Sequence, residues 1–195
     1  MYCYADGMPR HADVDQRRRE IGFAVWYLIA TQGPGSVTLR AVAAEAGVSV
    51  GRIQHYFASK EELVRDGCRQ MVAEAAGRYA DRQDGADPST ALRLLLTQAL
   101  PRTDEARMAV AVWYAYLTLS RGDEVIARLL TEAKRSQTAE VIRLLSAAPG
   151  DGVPRDLAAT ADRLLALADG LTLRVYLGLV DVESADAQLQ AALRS

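Results

Sequence analysis

The segment from Thr38 to Phe57 constrains the fold more than any other part of the chain, because its pattern fits two short helices joined by a tight turn. Gly47 lies where the first helix must end in a left-handed backbone conformation, in which a Cβ atom is penalised. Ser49 follows at the N-cap of the second helix, where its hydroxyl can accept from a backbone N–H one turn on. Apolar side chains that can join the helices are Leu39, Val42, Ala43, Ala46, Val48 and Ile53. The segment predicts a helix-turn-helix, a motif that places its second helix in the DNA major groove.

The second helix of this motif carries side chains suited to DNA. Ile53 and Phe57 lie one turn apart and are expected to point into the core. On the outer face, Arg52 can contact guanine through two hydrogen bonds, and Gln54 can do the same with adenine. Further DNA candidates are Val50, Gly51, His55 and Tyr56 on this helix, and Thr38 and Lys60 at the openings of the flanking helices. Spacing alone leaves an alternative open, because paired short helices with a glycine turn also occur in proteins that never bind DNA.

The charge of the chain is balanced, which neither requires nor excludes binding to nucleic acid. The 195 residues carry a net charge of −2, and residues 1–66 contain eight Lys or Arg against eight Asp or Glu. A few placed cations and helix N-termini can still supply phosphate contacts. Arg17, Arg18 and Arg19 form the main cationic cluster, which fits either a solvated helix face or a phosphate-contacting role.

Several other classes of protein are disfavoured by the sequence. Cys3 and Cys68 are far apart and lack neighbouring histidines, so we expect no disulfide, no metal site and a reduced, cytoplasmic setting. The apolar run from Ile21 to Ala30 is too short to cross a membrane. With only two histidines and neither a phosphate-binding glycine loop nor a His-Glu-x-x-His motif, we predict that the protein is not an enzyme and needs no cofactor.

Helix-forming residues and cap signals recur along the sequence and predict an all-α fold. Asp13 with Gln16, and Ser59 with Glu62, have the spacing of capping boxes, and Asp87 precedes a proline suited to the first helical position. Predicted helices span 13–31, 38–46, 49–57, 59–80, 88–100, 103–120, 123–147, 154–180 and 184–194. We expect residues 1–12 to be a disordered arm, 13–66 the helix-turn-helix domain, and 67–195 a C-terminal helical domain.

Residues 14–66 resemble the DNA-binding domain of the TetR family of bacterial transcription regulators. The resemblance runs through Arg19–Ile21, Val37–Arg40, Ala43–Ser49 and His55–Leu63. It implies a recognition helix at Ser49 to His55. By position, the implied DNA contacts are Thr38, Arg40, Ser49, Val50, Gly51, Arg52, Gln54, His55, Tyr56 and Lys60. The chain departs from the family pattern at Val50, where lysine is frequent, and at Gln54, where tyrosine is frequent, so the operator sequence cannot be borrowed from relatives.

The C-terminal half resembles the BetI-like branch of that family most closely, through Trp113–Ala127 and Ala168–Leu171. The resemblance implies a pocket for a small-molecule effector, enclosed by the helices at 59–80, 88–100 and 103–120. Candidate lining residues are Met71, Gln98, Met108, Trp113, Tyr114, Tyr116 and Thr118. Aromatic faces can attract a cation, although an aromatic-rich core explains the same residues.

Apolar stripes on two C-terminal helices suggest a dimer. One runs through Leu157, Ala161, Leu164, Ala168, Leu171, Val175 and Gly178 in steps of three and four, and a second includes Ile126, Leu130, Ala133, Val141 and Leu144. Two helices from each subunit would form a four-helix interface. The predicted interface residues are Ile126, Leu130, Ala161, Leu164, Ala168, Leu171 and Val175. The alternative is that both stripes face the core of their own subunit.

Together these features predict a ligand-responsive repressor that binds a palindromic DNA operator as a homodimer and is released by a small-molecule effector of unknown identity. No membrane association is expected. Two alternatives remain: a helical adaptor for other proteins, or a DNA-binding protein that does not repress and has no effector.

Overall fold

The computed structural model describes residues 11–147 and 156–194, and these residues form α-helices joined by short turns. The predicted all-α class is confirmed, with no strand in either described range. The α-helices are α1 (His11–Gln32), α2 (Leu39–Glu45), α3 (Val50–Tyr56), α4 (Lys60–Gln83), α5 (Pro88–Thr97), α6 (Asp104–Leu119), α7 (Glu124–Ala147), α8 (Leu157–Tyr176) and α9 (Val182–Ala192), with a short 3-10 turn at Pro34–Ser36.

The chain divides into two compact units, one ending at Gln70 and the other beginning at Met71. In the first unit, α1 packs against α2 and the 3-10 turn, and α2 packs against α3. Its buried apolar side chains include Ile21, Val25, Val37, Val42, Ile53, Phe57 and Leu63. In the second unit, α5 packs against α7, α8 and α9 around a core that includes Leu92, Leu95, Leu96, Val141, Leu144, Leu164, Leu171 and Leu189.

Short-range hydrogen bonds set the helix starts where the sequence predicts them. Ser59 Oγ accepts from the Glu62 backbone N–H at 3.1 Å, while a Glu62 carboxylate oxygen accepts from the Ala58 N–H at 2.7 Å. The Asp87 carboxylate accepts from the backbone N–H groups of Ser89 and Thr90, with Pro88 as the first helical residue. These caps confirm the predicted openings of α4 and α5, since each satisfies N–H groups that lack a partner within the helix.

Several predicted helix boundaries differ from the observed ones: α4 ends at Gln83, α5 ends at Thr97, and α9 spans Val182–Ala192 with Asp181 as its N-cap. Helix α1 begins at His11, two residues before the predicted start at Asp13; residues 1–10 of the predicted arm lie outside the described residues. Helix α8 ends at Tyr176 because Gly178 adopts a φ of +73°. The Gly178 N–H then bonds to the Val175 carbonyl and the Leu179 N–H to the Arg174 carbonyl, which closes the helix. Gly178 therefore terminates α8 and does not extend its apolar seam.

The predicted break at 149–152 and the helix start at Pro154 fall outside the described residues. In the described part of the chain, no helix has both the length and the apolarity that a membrane span requires.

Candidate DNA-binding surface and effector site

The turn between α2 and α3 has the geometry that the sequence predicts. Gly47 has a φ of +64°, its N–H bonds to the Ala44 carbonyl, and the Val48 N–H bonds to the Ala43 carbonyl at 2.9 Å. This paired bonding satisfies carbonyls at the end of α2 and reverses the chain. Ser49 Oγ then accepts from the Arg52 N–H at 3.1 Å and opens α3.

The two faces of α3 differ sharply in exposure. Ile53 and Phe57 are 0% and 1% exposed, so they anchor the helix as predicted. Of the predicted DNA-facing residues of α3, Tyr56 is half-buried and the others are exposed. The exposed ones are Val50, Gly51, Arg52, Gln54 and His55. The Tyr56 ring lies edge-on to His55, with 5.2 Å between the ring centroids. The helix thus presents a side-chain row that nothing in its own unit covers.

The flanking DNA candidates lie on neighbouring helix ends of the same unit. Thr38 is exposed and caps α2, its hydroxyl accepting from the Ala41 N–H at 3.0 Å. Arg40 is exposed on the first turn of α2, and Lys60 is the half-buried first residue of α4. All three therefore sit at helix openings, where phosphate contacts commonly form.

Residues Gly47 to Gly51 read Gly-Val-Ser-Val-Gly, the spacing of the nucleophile elbow in α/β hydrolases. That elbow requires a strand before the serine and a helix after it. Here the segment joins two helices, and the Ser49 hydroxyl serves as the cap of α3. The pattern is therefore a coincidence of spacing, and it supplies no catalytic serine.

The three consecutive arginines of α1 have different partners. Arg17 pairs with Glu20 and Arg19 donates to Gln16, both within α1. Arg18 instead reaches the end of α3, where its Nη2 donates to the Tyr56 carbonyl at 3.5 Å and its guanidinium lies 5.2 Å from the Phe57 ring centroid. The three arginines therefore differ, because Arg18 contacts the end of α3 whereas Arg17 and Arg19 contact residues of α1. Sequence reasoning missed the partners of Arg18 because they lie 38 or more positions away.

In the second unit, two aromatic residues of α6 meet charged groups from α7 and α8. Lys134 Nζ lies 5.4 Å from the Trp113 ring centroid and pairs with the Asp169 carboxylate at 2.6 and 2.9 Å. The Tyr114 and Tyr176 rings are 6.1 Å apart. Partial burial, followed by the negative charge of Asp169 and then Tyr176, raises the pKa of Tyr114 above its usual value. These residues form an aromatic cluster. The Arg107 guanidinium lies 5.5 Å from the Tyr176 ring centroid, so the cluster already carries two cations, Lys134 at Trp113 and Arg107 at Tyr176.

The seven predicted effector-lining residues differ in burial and in their position around the helices. Met71 and Tyr116 are buried and Thr118 is exposed, with its hydroxyl donating to the Tyr114 carbonyl at 3.2 Å. Tyr116 and Thr118 are two positions apart, which places them about 200° apart around α6. The half-buried members are Gln98, Met108, Trp113 and Tyr114. Tyr116 lies in the core, while Trp113 and Tyr114 lie in the aromatic cluster, and the effector-lining set stays a prediction.

A shallow groove of about 190 Å³ lies between α5 and α9. Its lining residues are Ser89, Thr90, Arg93, Gln190, Leu193 and Arg194. It contains none of the predicted effector-lining residues, and its volume is below the ~300 Å³ that small-molecule pockets usually reach. The groove is thus a poor candidate for the effector site.

The predicted dimer residues lie inside the single chain. Their exposures range from 0% to 5%, for Ile126, Leu130, Ala161, Leu164, Ala168, Leu171 and Val175. The five from α8 belong to one core cluster with residues of α5, α7 and α9. Their assignment to a dimer interface is corrected, because side chains without accessible surface cannot contact a second subunit. Both stripes face the core of their own subunit.

The last turn of α8 and the turn that follows it carry exposed apolar side chains that the stripe analysis missed. Leu173, Leu177 and Leu179 are 41%, 59% and 62% exposed, and Leu117 on α6 is 41% exposed. A sequence signal for them existed, since Leu173 and Leu177 lie one turn apart on the side of α8 opposite the seam. Leu173, Leu177 and Leu179 are the main exposed apolar side chains at the end of α8 and in the turn that follows it.

Comparisons with known proteins point to regulators of transcription. Residues 26–66 match the family described as bacterial regulatory proteins, tetR family, and residues 88–195 match the one described as BetI-type transcriptional repressor, C-terminal. The HTH-type transcriptional regulator BetI of Stenotrophomonas maltophilia is 30% identical over 95% of this chain and 99% of its own length. The HTH-type transcriptional regulator PksA of Bacillus subtilis is 28% identical over 90% of this chain and 86% of its own length.

A solved structure agrees with the fold along most of the chain. The crystal structure of a transcriptional regulator from Saccharomonospora viridis in complex with choline has a TM-score of 0.82 and 27% identity. The match covers 92% of this chain and 96% of that regulator. This chain therefore shares its fold with that regulator.

Proposed function

The chain belongs to the TetR family of bacterial regulatory proteins, with a BetI-type C-terminal domain, and from this premise we propose that it represses transcription from a palindromic operator. The family makes the protein a DNA-binding transcriptional regulator and not an enzyme. The proposal adds that it binds as a homodimer and that a small-molecule effector releases it. A cytoplasmic location belongs to the same proposal, since the operator is chromosomal DNA.

The observation that carries the proposal is the uncovered outer face of α3 above its buried anchors, Ile53 and Phe57. In the proposed complex, Arg52 reads a guanine and Gln54 reads an adenine in the major groove. The proposed phosphate contacts come from the backbone at Gly51 and from Thr38, Arg40, Ser49, His55, Tyr56 and Lys60, while Val50 makes an apolar contact. Because lysine is frequent at position 50 in the family, its replacement by valine shifts the phosphate contacts toward Arg40 and Lys60.

A mobility-shift titration with the DNA that flanks the protein's own gene tests the DNA-binding proposal. Each of Arg52→Ala and Gln54→Ala is expected to weaken specific binding by about 1–3 kcal/mol. Arg121→Ala, at an exposed site in the turn after α6, is the matched control and should bind like the wild type. Equal affinity of the wild type for operator and unrelated DNA would contradict the proposal.

We propose that the homodimer forms through the outer face of the end of α8. This face is supported by the exposure of Leu173, Leu177 and Leu179, whose burial against a second copy would remove apolar surface from water. A two-fold interface would present two α3 helices to the two halves of a palindrome.

For the effector we propose an organic cation that contacts the aromatic cluster. Support comes from the ring faces of Trp113 and Tyr176, which attract positive charge, and from the choline bound to the Saccharomonospora viridis regulator. Lys134 and Arg107 occupy these rings, so the ligand would have to displace them. Choline titrated into the protein should change Trp113 fluorescence, and the change should persist in Trp26→Phe but vanish in Trp113→Phe. Operator affinity should fall as choline binds; tighter DNA binding would contradict effector release.

The rival proposals are a helical adaptor and a DNA-binding protein without an effector. An adaptor function does not explain why Arg52 and Gln54 are exposed on the outer face of α3. Loss of operator binding in the Arg52 and Gln54 variants would disfavour this rival. A regulator whose operator affinity is insensitive to choline and to related cations would favour the second rival.

A further inference from the structure

The side chain of Arg18 joins three helices of the first unit. It extends from α1 to the C-terminal end of α3, where it meets the Tyr56 carbonyl and the face of the Phe57 ring. Its Nε also lies 4.0 Å from an Asp66 carboxylate oxygen on α4. The carbonyls at the end of a helix carry partial negative charge, so a guanidinium placed there stabilises α3 at that end.

The α4 side of this contact is itself tightly organised. Asp66 is 7% exposed, and its two oxygens accept from Arg69 Nη1 at 2.8 Å and from Gln70 Nε2 at 2.7 Å. The same Gln70 amide donates to the Arg18 backbone carbonyl at 3.0 Å. Both the side chain and the main chain of Arg18 are therefore tied to one short stretch of α4.

A glycine on α1 makes room for this arrangement. A Cβ atom at Gly22 would lie 2.1 Å from Gln70 Oε1, well inside any allowed contact. The Gln70 amide thus rests against the α1 backbone, and any larger residue at position 22 must displace it. Displacement would cost the two hydrogen bonds that Gln70 donates to Arg18 and Asp66.

We propose that Arg18 is a positioning residue that sets the orientation of the recognition helix α3 through Phe57 and Tyr56, with Asp66 and Gln70 as its anchor on α4. This inference rests on the proposed operator binding. It assigns Arg18 a role different from that of a phosphate-contacting cation, because its charge is directed at α3 and α4. In the operator complex, a misplaced α3 loses its base contacts and the uncharged phosphate contacts of its own residues. It leaves the charged phosphate contacts of Arg40 and Lys60, which set the salt dependence.

Salt dependence separates positioning from phosphate contact. We would select an operator duplex from a random library with the wild-type protein, then titrate it and an unrelated duplex at several salt concentrations. Arg18→Met, which keeps an unbranched apolar side chain but removes the guanidinium over Phe57, should bind the operator about tenfold more weakly and the unrelated duplex equally well. Its plot of log affinity against log salt concentration should keep the wild-type slope. Arg17→Met and Arg19→Met are matched controls with wild-type affinity.

Two outcomes would overturn the proposal: wild-type operator affinity in Arg18→Met, or a slope reduced by about 0.9 with equal losses on both duplexes, which marks a phosphate contact.

Gly22→Ala provides a second test that changes no charge. It replaces the first test if circular dichroism shows that Arg18→Met is unfolded. It should reproduce the loss on the operator alone, whereas Gly35→Ala, at a position with open space, should be neutral. Gly22→Ala binding like Gly35→Ala would overturn the anchor through Gln70. A wild type that selects no duplex would instead refute operator binding itself.

Discussion

Two glycines four positions apart in the helix-turn-helix have different physical roles. Gly47 adopts a φ of +64°, a conformation that costs an L-residue about 1–2 kcal/mol, so the backbone requires glycine there. Gly51 lies inside α3 with ordinary helical geometry, and a Cβ atom placed on it would meet nothing within 4 Å. The fold therefore does not require glycine at position 51. Close approach of a DNA phosphate would explain it.

We predict opposite consequences for alanine at these two positions. Gly51→Ala should leave the free energy of unfolding unchanged or raise it by up to about 1 kcal/mol, because alanine is the better helix former, yet weaken operator binding. Gly47→Ala should lower stability by about 1–2 kcal/mol. Urea unfolding and operator titration of both variants check this. Full operator affinity in Gly51→Ala would show that no phosphate lies against that backbone.

Tyr79 of α4 is a side chain whose ionisation the folded second unit strongly disfavours. Its hydroxyl donates to Glu140 Oε1 at 3.2 Å, and burial followed by the charge of Glu140 raises the pKa of Tyr79 from 10.0 to about 12. Glu140 also accepts two hydrogen bonds of 2.7 Å from Arg143, and this pairing lowers the pKa of Glu140. The cluster joins α4 to α7 through a protonated tyrosine and an ionised glutamate.

A tyrosine pKa that is higher in the folded state stabilises the fold below the unfolded pKa and loses that contribution as pH rises toward the folded pKa. We therefore expect the contribution of Tyr79 to be full below pH 10 and to fall between pH 10 and about 12. Ultraviolet titration of the wild type against Tyr79→Phe isolates this group. Glu140→Gln should lower the Tyr79 pKa only partly, because burial is the larger cause. A Tyr79 pKa at the ordinary value of 10.0 would contradict the assignment.

At the scale of the element, α8 has a buried apolar face and an exposed face whose character changes toward the C-terminal end. Its inner face, which includes Leu164 and Leu171, lies in the core of the second unit. Its outer face carries the charged residues Asp162 and Asp169, but Leu173 in the last turn and Leu177 just after the helix are exposed apolar side chains. A second subunit is the proposed cover for this apolar end.

The two faces of α8 should respond differently to truncation. Leu164→Ala should lower the free energy of unfolding by about 2–5 kcal/mol, because it leaves a cavity in a packed core. Leu177→Ala, at a residue 59% exposed, should change the stability of the single chain by no more than about 0.5 kcal/mol. Urea unfolding at low protein concentration, where subunits separate, measures both values. Equal losses from the two substitutions would contradict the division of faces.

At the scale of the whole molecule, operator binding is expected to depend on assembly of two chains. Changing Leu173, Leu177 and Leu179 to serine should convert the dimer to monomers in analytical ultracentrifugation. Operator affinity should then fall steeply, since one recognition helix holds only half of a palindrome. Phe23→Ser, which alters an exposed aromatic residue of the first unit, should remain dimeric. If the triple variant is still dimeric, the subunit interface does not depend on these three leucines and the proposed interface is wrong.

The sequence by itself determined those features whose physical causes act over three or four residues. Thr38, Ser49 and Asp87 cap their helices through backbone groups two or three positions on, and Gly47 turns the chain by its own backbone freedom. The division of α3 into a buried and an exposed face follows from helical periodicity, so most of the candidate DNA surface could be predicted.

Tertiary structure alone decided the features that depend on distant partners. An apolar stripe on α7 or α8 records that a face is buried, but periodicity carries no information about whether the covering helix belongs to the same chain. The packing of α5 and α9 resolved that question in favour of the subunit's own core. In the same way, Arg18 is indistinguishable from its neighbours until folding brings Phe57, Asp66 and Gln70 around it, because contacts separated by many positions leave no local pattern in the sequence.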